Sequence, residues 1–282
     1  MSIRALVVGG TSGCGFGIAS RLAAEATTSS VIVSGRHNPG TFPSSKISFL
    51  ALDASSMRSI KKYTDDFKAS QPEKLDYLVM SQGIFTMSGR NETSEGIDLK
   101  MALHYYGKQL LVRELLPVLK EDAKVIVILD GAGGNPNKLN WDDLDLKKNF
   151  GLVNAAQHCL NMTDAMTQHW ATTQAPGDKR HFIHALPGVV ATGVGNGVPL
   201  YARLPMRGLQ MLLGVKPEVF ADKFMTALPP RIEEGTKAGS FSHYLNNKAQ
   251  RVEGKHVWTD EELGKITSHT WKLVDDALDI QE

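Results

Sequence analysis

The chain has 282 residues, of which 42% are hydrophobic and 22% are charged, and its formal net charge is +1 at pH 7. So small a charge gives no electrostatic basis for a nucleic-acid partner or an anionic membrane surface. The two cysteines are too few for a disulfide framework, which suits a reducing compartment. No run approaches the roughly 18 apolar residues that a membrane helix needs. These features favour a cytoplasmic protein without a membrane span.

Short apolar runs bounded by turn residues predict a series of buried strands. In chain order they cover residues 3–10, 30–36, 47–53, 75–83, 124–131 and 181–188. Helical periodicity between these runs predicts helices over residues 15–26, 57–69, 99–119 and 154–174. This alternation indicates an α/β fold: a Rossmann-like, doubly wound parallel sheet with helices on both faces. Nothing in the sequence marks a boundary, so we expect residues 1–282 to form one domain.

The stretch 193–216 interrupts the alternation of strands and helices. It begins glycine-rich, ends in an amphipathic run and follows a strand end, where α/β sheets bind their ligands. We expect it to cover a substrate as a lid, with an ordinary surface helix pair as the alternative. Its apolar side chains favour a lipophilic small molecule as substrate: Leu204, Met206, Leu209, Met211 and Leu212. Further on, Thr259 and Glu262 have the spacing of a capping box and predict the start of a final helix.

The first predicted strand runs directly into the sequence "GGTSGCGFG" at residues 9–17. Glycine at positions 9, 13 and 15 permits a tight turn through which the backbone can approach a pyrophosphate. The helix that follows points its free N–H groups and its positive dipole end at that anion. Arg36 ends the second strand, where an acidic residue would otherwise bind ribose hydroxyls, and its guanidinium favours the 2′-phosphate of NADP(H). Asp53 ends the third strand, where a carboxylate can lie near the adenine.

The G-x-x-x-G-x-G spacing resembles that of the short-chain dehydrogenase/reductase family. The resemblance extends from residue 3 to about residue 192. "LDYLVMSQG" (75–83) is similar to the family's fourth-strand motif, with Met80 and Ser81 in place of two asparagines, and "NWDDLDL" (140–146) is similar to retinol-dehydrogenase-like members. "LPGVVAT" (186–192) resembles the segment that closes on the nicotinamide. The resemblance implies a homodimer or homotetramer, and a cofactor site made of Gly9, Thr11, Ser12, Gly13, Gly15, Arg36, Asp53, Ser81, Gly83, Pro187, Gly188 and Thr192.

The catalytic positions that the resemblance implies all carry other residues. The family's tyrosine, lysine, serine and asparagine fall on Phe150, Asn154, Asp130 and His104. An observation that needs no alignment supports this loss. The sequence has no tyrosine between Tyr106 and Tyr201, and no serine between Ser94 and Ser240.

Asp130 and His104 are the candidates for replacement chemistry, since both positions line the same crevice. A carboxylate beside an imidazole raises the imidazole's pKa and orients it as an acid/base pair. Asn154 keeps the family's lysine position, and His158 lies one turn after it and shares its helix face. The alternatives are structural: Asp130 as a turn or cap residue, and the two histidines as packed side chains. We expect His181 and His184 to be structural, and no histidine pair has the spacing of a metal site.

Three functions are compatible with this pattern. The first is an atypical NADP(H)-dependent reductase acting on an activated imine, enone or carbonyl, which needs no strong proton donor. The second is a non-redox cyclase, isomerase or lyase that uses Asp130 and His104. The third is a catalytically inactive NADP(H)-binding regulatory partner.

Overall fold

The computed structural model describes residues 2–190 and 214–280, so Thr192 and residues 193–213 of the predicted lid lie outside the described residues. One sheet of seven parallel strands contains every strand in these ranges, in the order β3-β2-β1-β4-β5-β6-β7. The predicted doubly wound parallel sheet is therefore confirmed. The strands are β1 (Ile3–Val8), β2 (Thr28–Gly35), β3 (Ile47–Ala51), β4 (Leu75–Met80), β5 (Leu119–Ile128), β6 (His181–Ala185) and β7 (Ser242–Leu245).

Helices cover both faces of the sheet because successive side chains of a buried strand point to opposite faces. One apolar core lies between the sheet and helices α1 and α6; the other lies beneath α2, α4, α5 and α7. No helix in the described ranges is long and apolar enough to cross a bilayer. The helices are α1 (Gly13–Ala23), α2 (Met57–Ser70), α3 (Leu99–Met101), α4 (Gly107–Leu115), α5 (Leu152–Thr172), α6 (Pro217–Ala238) and α7 (Asp260–Asp279).

Three elements differ from the sequence-based expectation, and one of them is helix α6, which the sequence does not predict. The predicted helix 99–119 is interrupted by a π-helical segment at Ala102–Tyr106 and ends in a 3₁₀ turn at Leu116–Val118, so that β5 begins at Leu119. The sequence does not predict strand β7, because its short sequence "SHYL" lacks an apolar run and it lies at the sheet edge, paired with β6. The capping box at Thr259 and Glu262 is present and begins α7, as predicted.

A histidine pair joins β6 to the edge strand β7. His181 Nδ1 and His243 Nε2 share a hydrogen bond of 2.8 Å, and His181 Nε2 lies 3.1 Å from the Thr236 hydroxyl. Burial lowers the pKa of each ring to about 4, helped by the charge of Lys124 at His181 and by His181 and Arg251 at His243. Both rings are therefore neutral at pH 7.

We expect the free energy of unfolding to fall as the pH drops from 7 to 5. The unfolded histidines titrate near 6.5, so over this interval the unfolded state binds more protons than the folded state. The double variant His181→Asn/His243→Gln keeps hydrogen-bonding groups near the paired ring nitrogens but cannot titrate. Between pH 7 and 5, the double variant should lose less free energy of unfolding than the wild type, by about 1–3 kcal/mol, as measured by urea unfolding. The exposed His37→Gln is the control and should behave as the wild type; equal losses in all three proteins would contradict the prediction.

Candidate active site

The candidate site lies at the carboxyl ends of the strands. After β1 the chain builds β2 and β3 on one side, then returns to place β4 on the other side of β1. Such a switch point opens a crevice between the strand ends, which is where open α/β sheets bind ligands. The loops after β1, β4, β5 and β6 border this crevice and carry most of the residues selected from the sequence.

Two glycines of the loop after β1 have no room for a side chain. A Cβ at Gly9, whose φ is +78°, would lie 2.5 Å from the backbone nitrogen of Gln82. One at Gly15 would collide with Ser81 Oγ and the Gly9 carbonyl oxygen. Ser81 fastens this contact: its N–H donates to the Val8 carbonyl at 2.9 Å, and its hydroxyl donates to the Gly9 carbonyl at 3.1 Å. The chain segments of β1, α1 and β4 therefore approach one another through bare backbone at these two glycines.

The first turn of α1 has no side-chain cap. Ser12 is the exposed N-cap residue, its hydroxyl makes no capping hydrogen bond, and the first turn has no acidic residue. Thr11 packs beside Gly35 at the end of β2. Unsatisfied N–H groups and a positive dipole end attract an anion. Beside the loop, Gln82 is only 8% exposed and both atoms of its amide lack a hydrogen-bond partner among the described residues. These features fit a dinucleotide.

The end of β2 places Arg36 beside the glycine loop. The Ser34 carbonyl accepts hydrogen bonds from the N–H groups of Gly9 and Gly10, at 2.8 and 3.3 Å. Arg36 follows two residues later with an exposed side chain, and Asp53 lies after the neighbouring strand β3, also exposed. One oxygen of Asp53 accepts from the N–H and hydroxyl of Ser55, at 3.0 and 2.6 Å, and orders the turn into α2. A 2′-phosphate near Arg36 would meet an accessible guanidinium.

The other end of the crevice contains three further predicted cofactor residues, Gly83, Pro187 and Gly188. Pro187 and Gly188 follow β6 directly, and Gly188, with φ +73°, packs against Asn247. Gly83 packs against the ring of His104, because a Cβ there would lie 2.9 Å from the His104 Nε2. At the end of the predicted lid, the N–H of Val215 donates to the Val189 carbonyl at 3.0 Å.

His104 lies in the π-helical segment as a neutral ring. Its Nε2 accepts a hydrogen bond from the Ile84 N–H at 3.0 Å, so this nitrogen carries no proton. Burial, together with the positive charges of Lys108 and Lys100, lowers the pKa of His104 to about 3. The expected rise of this pKa by a neighbouring carboxylate is therefore wrong, because the charges that act on the ring are cationic.

Asp130 forms the turn that follows β5. Its Oδ1 accepts hydrogen bonds from the N–H groups of Ala132 and Gly133, at 3.2 and 2.8 Å. In the described part of the chain, no hydrogen bond or ion pair joins Asp130 to His104. The two residues border one crevice but do not form the direct pair that the sequence suggested. Their catalytic roles stay a prediction.

The two candidates on α5 make structural contacts. His158 Nδ1–H donates to the Leu144 carbonyl at 3.0 Å, and its Nε2 accepts from the Asn140 N–H at 3.0 Å. Both ring nitrogens thus fasten the loop 140–144 to the helix. Asn154 is exposed, and its amide donates to the Asn149 carbonyl at 3.3 Å. The catalytic assignment of both residues stays a prediction that these contacts do not favour.

A cation lies beside the aromatic ring at the family's tyrosine position. Phe150 precedes α5 and packs against the core, and Lys100 Nζ is 5.1 Å from its ring centroid. The same ammonium donates to the Gly89 carbonyl at 2.9 Å. The chain thus keeps a lysine near this ring, although the lysine comes from α3 instead of α5.

Lys108 is a residue that the sequence reasoning missed. It is completely buried beneath the crevice, where its Nζ donates to the carbonyls of Ile128 and Met80, at 3.2 and 3.4 Å, at the ends of β5 and β4. Burial lowers its pKa to about 7. No carboxylate within the described ranges pairs with it. The available sequence signal was its place on the helix. It lies four residues after His104, with the apolar residues Tyr105 and Leu111 three residues away on either side.

Two relatives match a large part of the chain. It is 36% identical to an oxidoreductase of Emericella nidulans over 203 residues, which are 68% of this chain and 60% of that relative. It is 27% identical to human polyprenol dehydrogenase over 276 residues, which are 92% of this chain and 81% of that relative. The chain spans about 45 to 60% of the length of the first three curated relatives that it matches. No protein-family model matches it.

A solved structure shares the fold. The NADPH-bound carbonyl reductase from chicken fatty liver matches with a TM-score of 0.61 at 16% identity, covering 92% of this chain and 100% of that one. The doubly wound sheet, with its crevice at the switch point, places the chain among the Rossmann-type α/β proteins. Within that class, it resembles the short-chain dehydrogenase/reductase family in sequence and in fold.

We expect Lys108→Met to stabilise the protein at neutral pH. The folded-state pKa near 7 lies below the usual value of 10.5, so wild-type stability falls as the pH drops from 10.5 to 7, and the uncharged methionine avoids this loss. The free energy of unfolding at pH 7 should rise by about 1–4 kcal/mol, and the gain should shrink at pH 10. Lys62→Met, which removes an exposed pair with Asp66, is the control and should change it by less than about 0.5 kcal/mol. A gain of equal size at both pH values would contradict the prediction.

Proposed function

We propose that this protein is an NADP(H)-dependent oxidoreductase that reduces a lipophilic small molecule whose C=N, C=C or C=O bond is already activated. The observation that carries the proposal is the side-chain-free contact of Gly9 and Gly15 with Ser81 at the switch point, in front of the open first turn of α1. The first N–H groups of any helix lack an intrahelical partner, and the Ser12 side chain does not cap those of α1, so an anion could bind there. The relatives named as oxidoreductases support the same reaction class.

Each end of the cofactor has residues suited to it. The N–H groups after Gly9, with Thr11, Ser12, Gly13 and Gly15, would bind the pyrophosphate; Arg36 would bind the 2′-phosphate and Asp53 would lie near the adenine. Ser81, Gly83, Pro187 and Gly188 would border the nicotinamide half, together with Thr192. When bound, the nicotinamide supplies a hydride to the substrate. The protein's own task is to orient the two reactants and to exclude water.

An apolar rim supports a lipophilic substrate. Phe85 and Met87, in the loop after β4, are 48% and 47% exposed, and Leu152 and Val153 are exposed at the start of α5. Lys100 contacts Gly89, two residues after Met87, and Phe150, two residues before Leu152. Exposed apolar groups beside a crevice are typical of a ligand-binding surface. The human relative named polyprenol dehydrogenase is consistent with such a substrate.

The charges of the site favour a substrate that needs no strong proton donor. His104 is neutral, with its Nε2 already accepting a hydrogen bond, and the positions of the family's tyrosine and lysine carry Phe150 and Asn154. An iminium substrate becomes a neutral amine when it accepts a hydride, so no proton has to be delivered. Reduction of a ketone forms an alkoxide and does require one.

The same loss of proton-transfer residues favours a non-redox cyclase, isomerase or lyase as the second candidate. That enzyme would bind NADP(H) without oxidising it, whereas an inactive regulatory partner would bind it and change no substrate. The homodimer or homotetramer and the cytoplasmic location stay expectations from the sequence; light scattering and cell fractionation test them.

Replacing Arg36 by alanine tests the choice of cofactor. The guanidinium would form charge-assisted hydrogen bonds with the 2′-phosphate, so the Kd for NADPH should rise by roughly 10- to 100-fold. The Kd for NADH should change by less than about 2-fold, since NADH has no such phosphate. Nucleotide fluorescence measures both constants. Arg113→Ala, which removes an ion pair with Asp275 away from the loop, is the control. An equal loss for both nucleotides would exclude Arg36 as the phosphate ligand, and no binding of either by the wild type would overturn the proposed function.

Turnover separates the candidate functions and tests the two crevice residues. NADPH oxidation should be observed with iminium or enone substrates, and it should be faster with these than with unactivated ketones. Asp130→Ala and His104→Ala should each lower kcat by roughly 10²- to 10⁴-fold if the residue acts as acid or base. Asp130→Asn and His104→Gln are the matched variants, since an amide can keep the hydrogen bonds from Gly133 and Ile84. If they recover full activity, the two residues order the loops and transfer no proton. Binding of NADPH without its oxidation would favour the non-redox enzyme or the inactive partner.

A further inference from the structure

Three charged or titratable side chains from separate elements meet beneath the loop that follows β5. His184 Nδ1–H, on β6, donates to Asp164 Oδ1, on α5, at 2.7 Å. Lys255 Nζ, in the segment before α7, lies 2.5 Å from Asp164 Oδ2. The side chains of His184, Asp164 and Lys255 are 0%, 5% and 13% exposed. We call this group the buried triad.

The buried triad connects to Asp130 through a single residue of the loop. Lys255 Nζ donates to the Gly133 carbonyl at 2.6 Å. The N–H of the same Gly133 donates to Asp130 Oδ1 at 2.8 Å. A continuous series of hydrogen bonds therefore runs from His184 through Asp164, Lys255 and Gly133 to the carboxylate at the crevice.

Further contacts hold the triad in one arrangement. The Tyr244 hydroxyl donates to the Asp164 backbone carbonyl at 3.0 Å, and Lys255 Nζ lies 5.4 Å from the centre of the Tyr244 ring. Gly134, with φ +93°, approaches the carboxamide of Asn161 and the carboxylate of Asp164 so closely that a Cβ would lie 3.0 and 3.3 Å from their oxygens. The loop thus rests directly on the triad.

Stability alone gives a weak reason for such a group. The desolvation of a buried ion pair offsets much of its Coulombic attraction, and apolar replacements are often neutral or stabilising. A buried lysine can donate a hydrogen bond to a loop carbonyl and so fix the position of that carbonyl. An apolar side chain cannot do this. Groups that hold a reacting side chain from behind commonly change activity by roughly 10- to 100-fold when they are removed.

We propose that Lys255, held by Asp164 and His184, is a positioning residue that fixes the Gly131–Gly134 loop and with it the direction of the Asp130 carboxylate. Lys255 does not touch the reacting atoms. It acts through Gly133, so its effect depends on Asp130. The inference rests on the proposed function only where turnover is measured, because the order of the loop can be measured without a substrate.

The first test compares Lys255→Met with Lys255→Arg and with the control Lys248→Met. Lys248 lies in the same segment but is exposed. Lys255→Met should lower kcat by roughly 10- to 100-fold while KM and the Kd for NADPH change by less than about 3-fold. The arginine, which can donate to the same two acceptors, should recover most of the activity, and Lys248→Met should match the wild type. An unchanged kcat, or equal losses in kcat and in NADPH affinity, would overturn the proposal.

The second test asks whether Lys255 acts through Asp130. In the Asp130→Ala background, which has no carboxylate to orient, Lys255→Met should lower kcat by less than about 2-fold further, since residues that act as one unit are not additive. A multiplied loss would show that Lys255 acts by another route and would overturn the proposal.

Amide hydrogen exchange provides the readout that needs no turnover. Lys255→Met should increase the exchange rates of the Ala132 and Gly133 amides by at least roughly 10-fold, with β1 unchanged. If the wild-type protein oxidises no NADPH but exchange increases in this way, the proposed function fails and the positioning of the loop stands. If exchange at these amides does not change, the positioning proposal fails, whatever the turnover.

Discussion

The backbone contact of Gly9 and Gly15 with Ser81 is the constraint on which the crevice depends. Because no Cβ can be placed at either glycine without meeting backbone or the Ser81 hydroxyl, β1, α1 and β4 can approach one another only through bare backbone. Beside this contact, the first turn of α1 has no side-chain cap, and the Gln82 amide has no partner among the described residues. The loops from β5 and β6 then line a space whose floor is already fixed.

The positive charges near His104 come from two lysines on the segments around the π-helical turn. Lys100 and Lys108 flank His104 on the segments before and after the π-helical turn, four residues away on either side, and together with burial they keep the ring neutral. Within the described ranges, the hydrogen-bond partners of Lys108 are the strand-end carbonyls of Met80 and Ile128. A buried lysine of this kind costs stability, and departures from good packing rules tend to occur where function requires them. Lys100, on α3, lies beside Phe150. Helix α3 thus supplies a positive charge that the resemblance implies should come from α5.

Much of the fold could be read from local pattern. Six of the seven strands were placed because they are short apolar runs between turn residues, and the glycine loop because its spacing has a steric meaning. The missing tyrosine and serine needed only a count. Strand β7 is not predicted because pairing with β6 stabilises it, and the local residue pattern does not show this pairing. The π-helical turn at Ala102–Tyr106 escaped because the apolar periodicity of a helix tolerates one extra residue.

The sequence by itself therefore determined the sheet and the position of the crevice, since both depend on residue type and short-range order, and it predicts the loss of the family's proton-transfer residues. The tertiary structure decided what the substitute residues contact. It turned Asp130 into the centre of a loop held from below by Lys255, kept His104 neutral between two lysines, and used both nitrogens of His158 to fasten a loop. These outcomes depend on groups far apart in sequence, such as Asp130 and Lys255, whose distance is set only when β5, α5, β6 and the segment before α7 pack together.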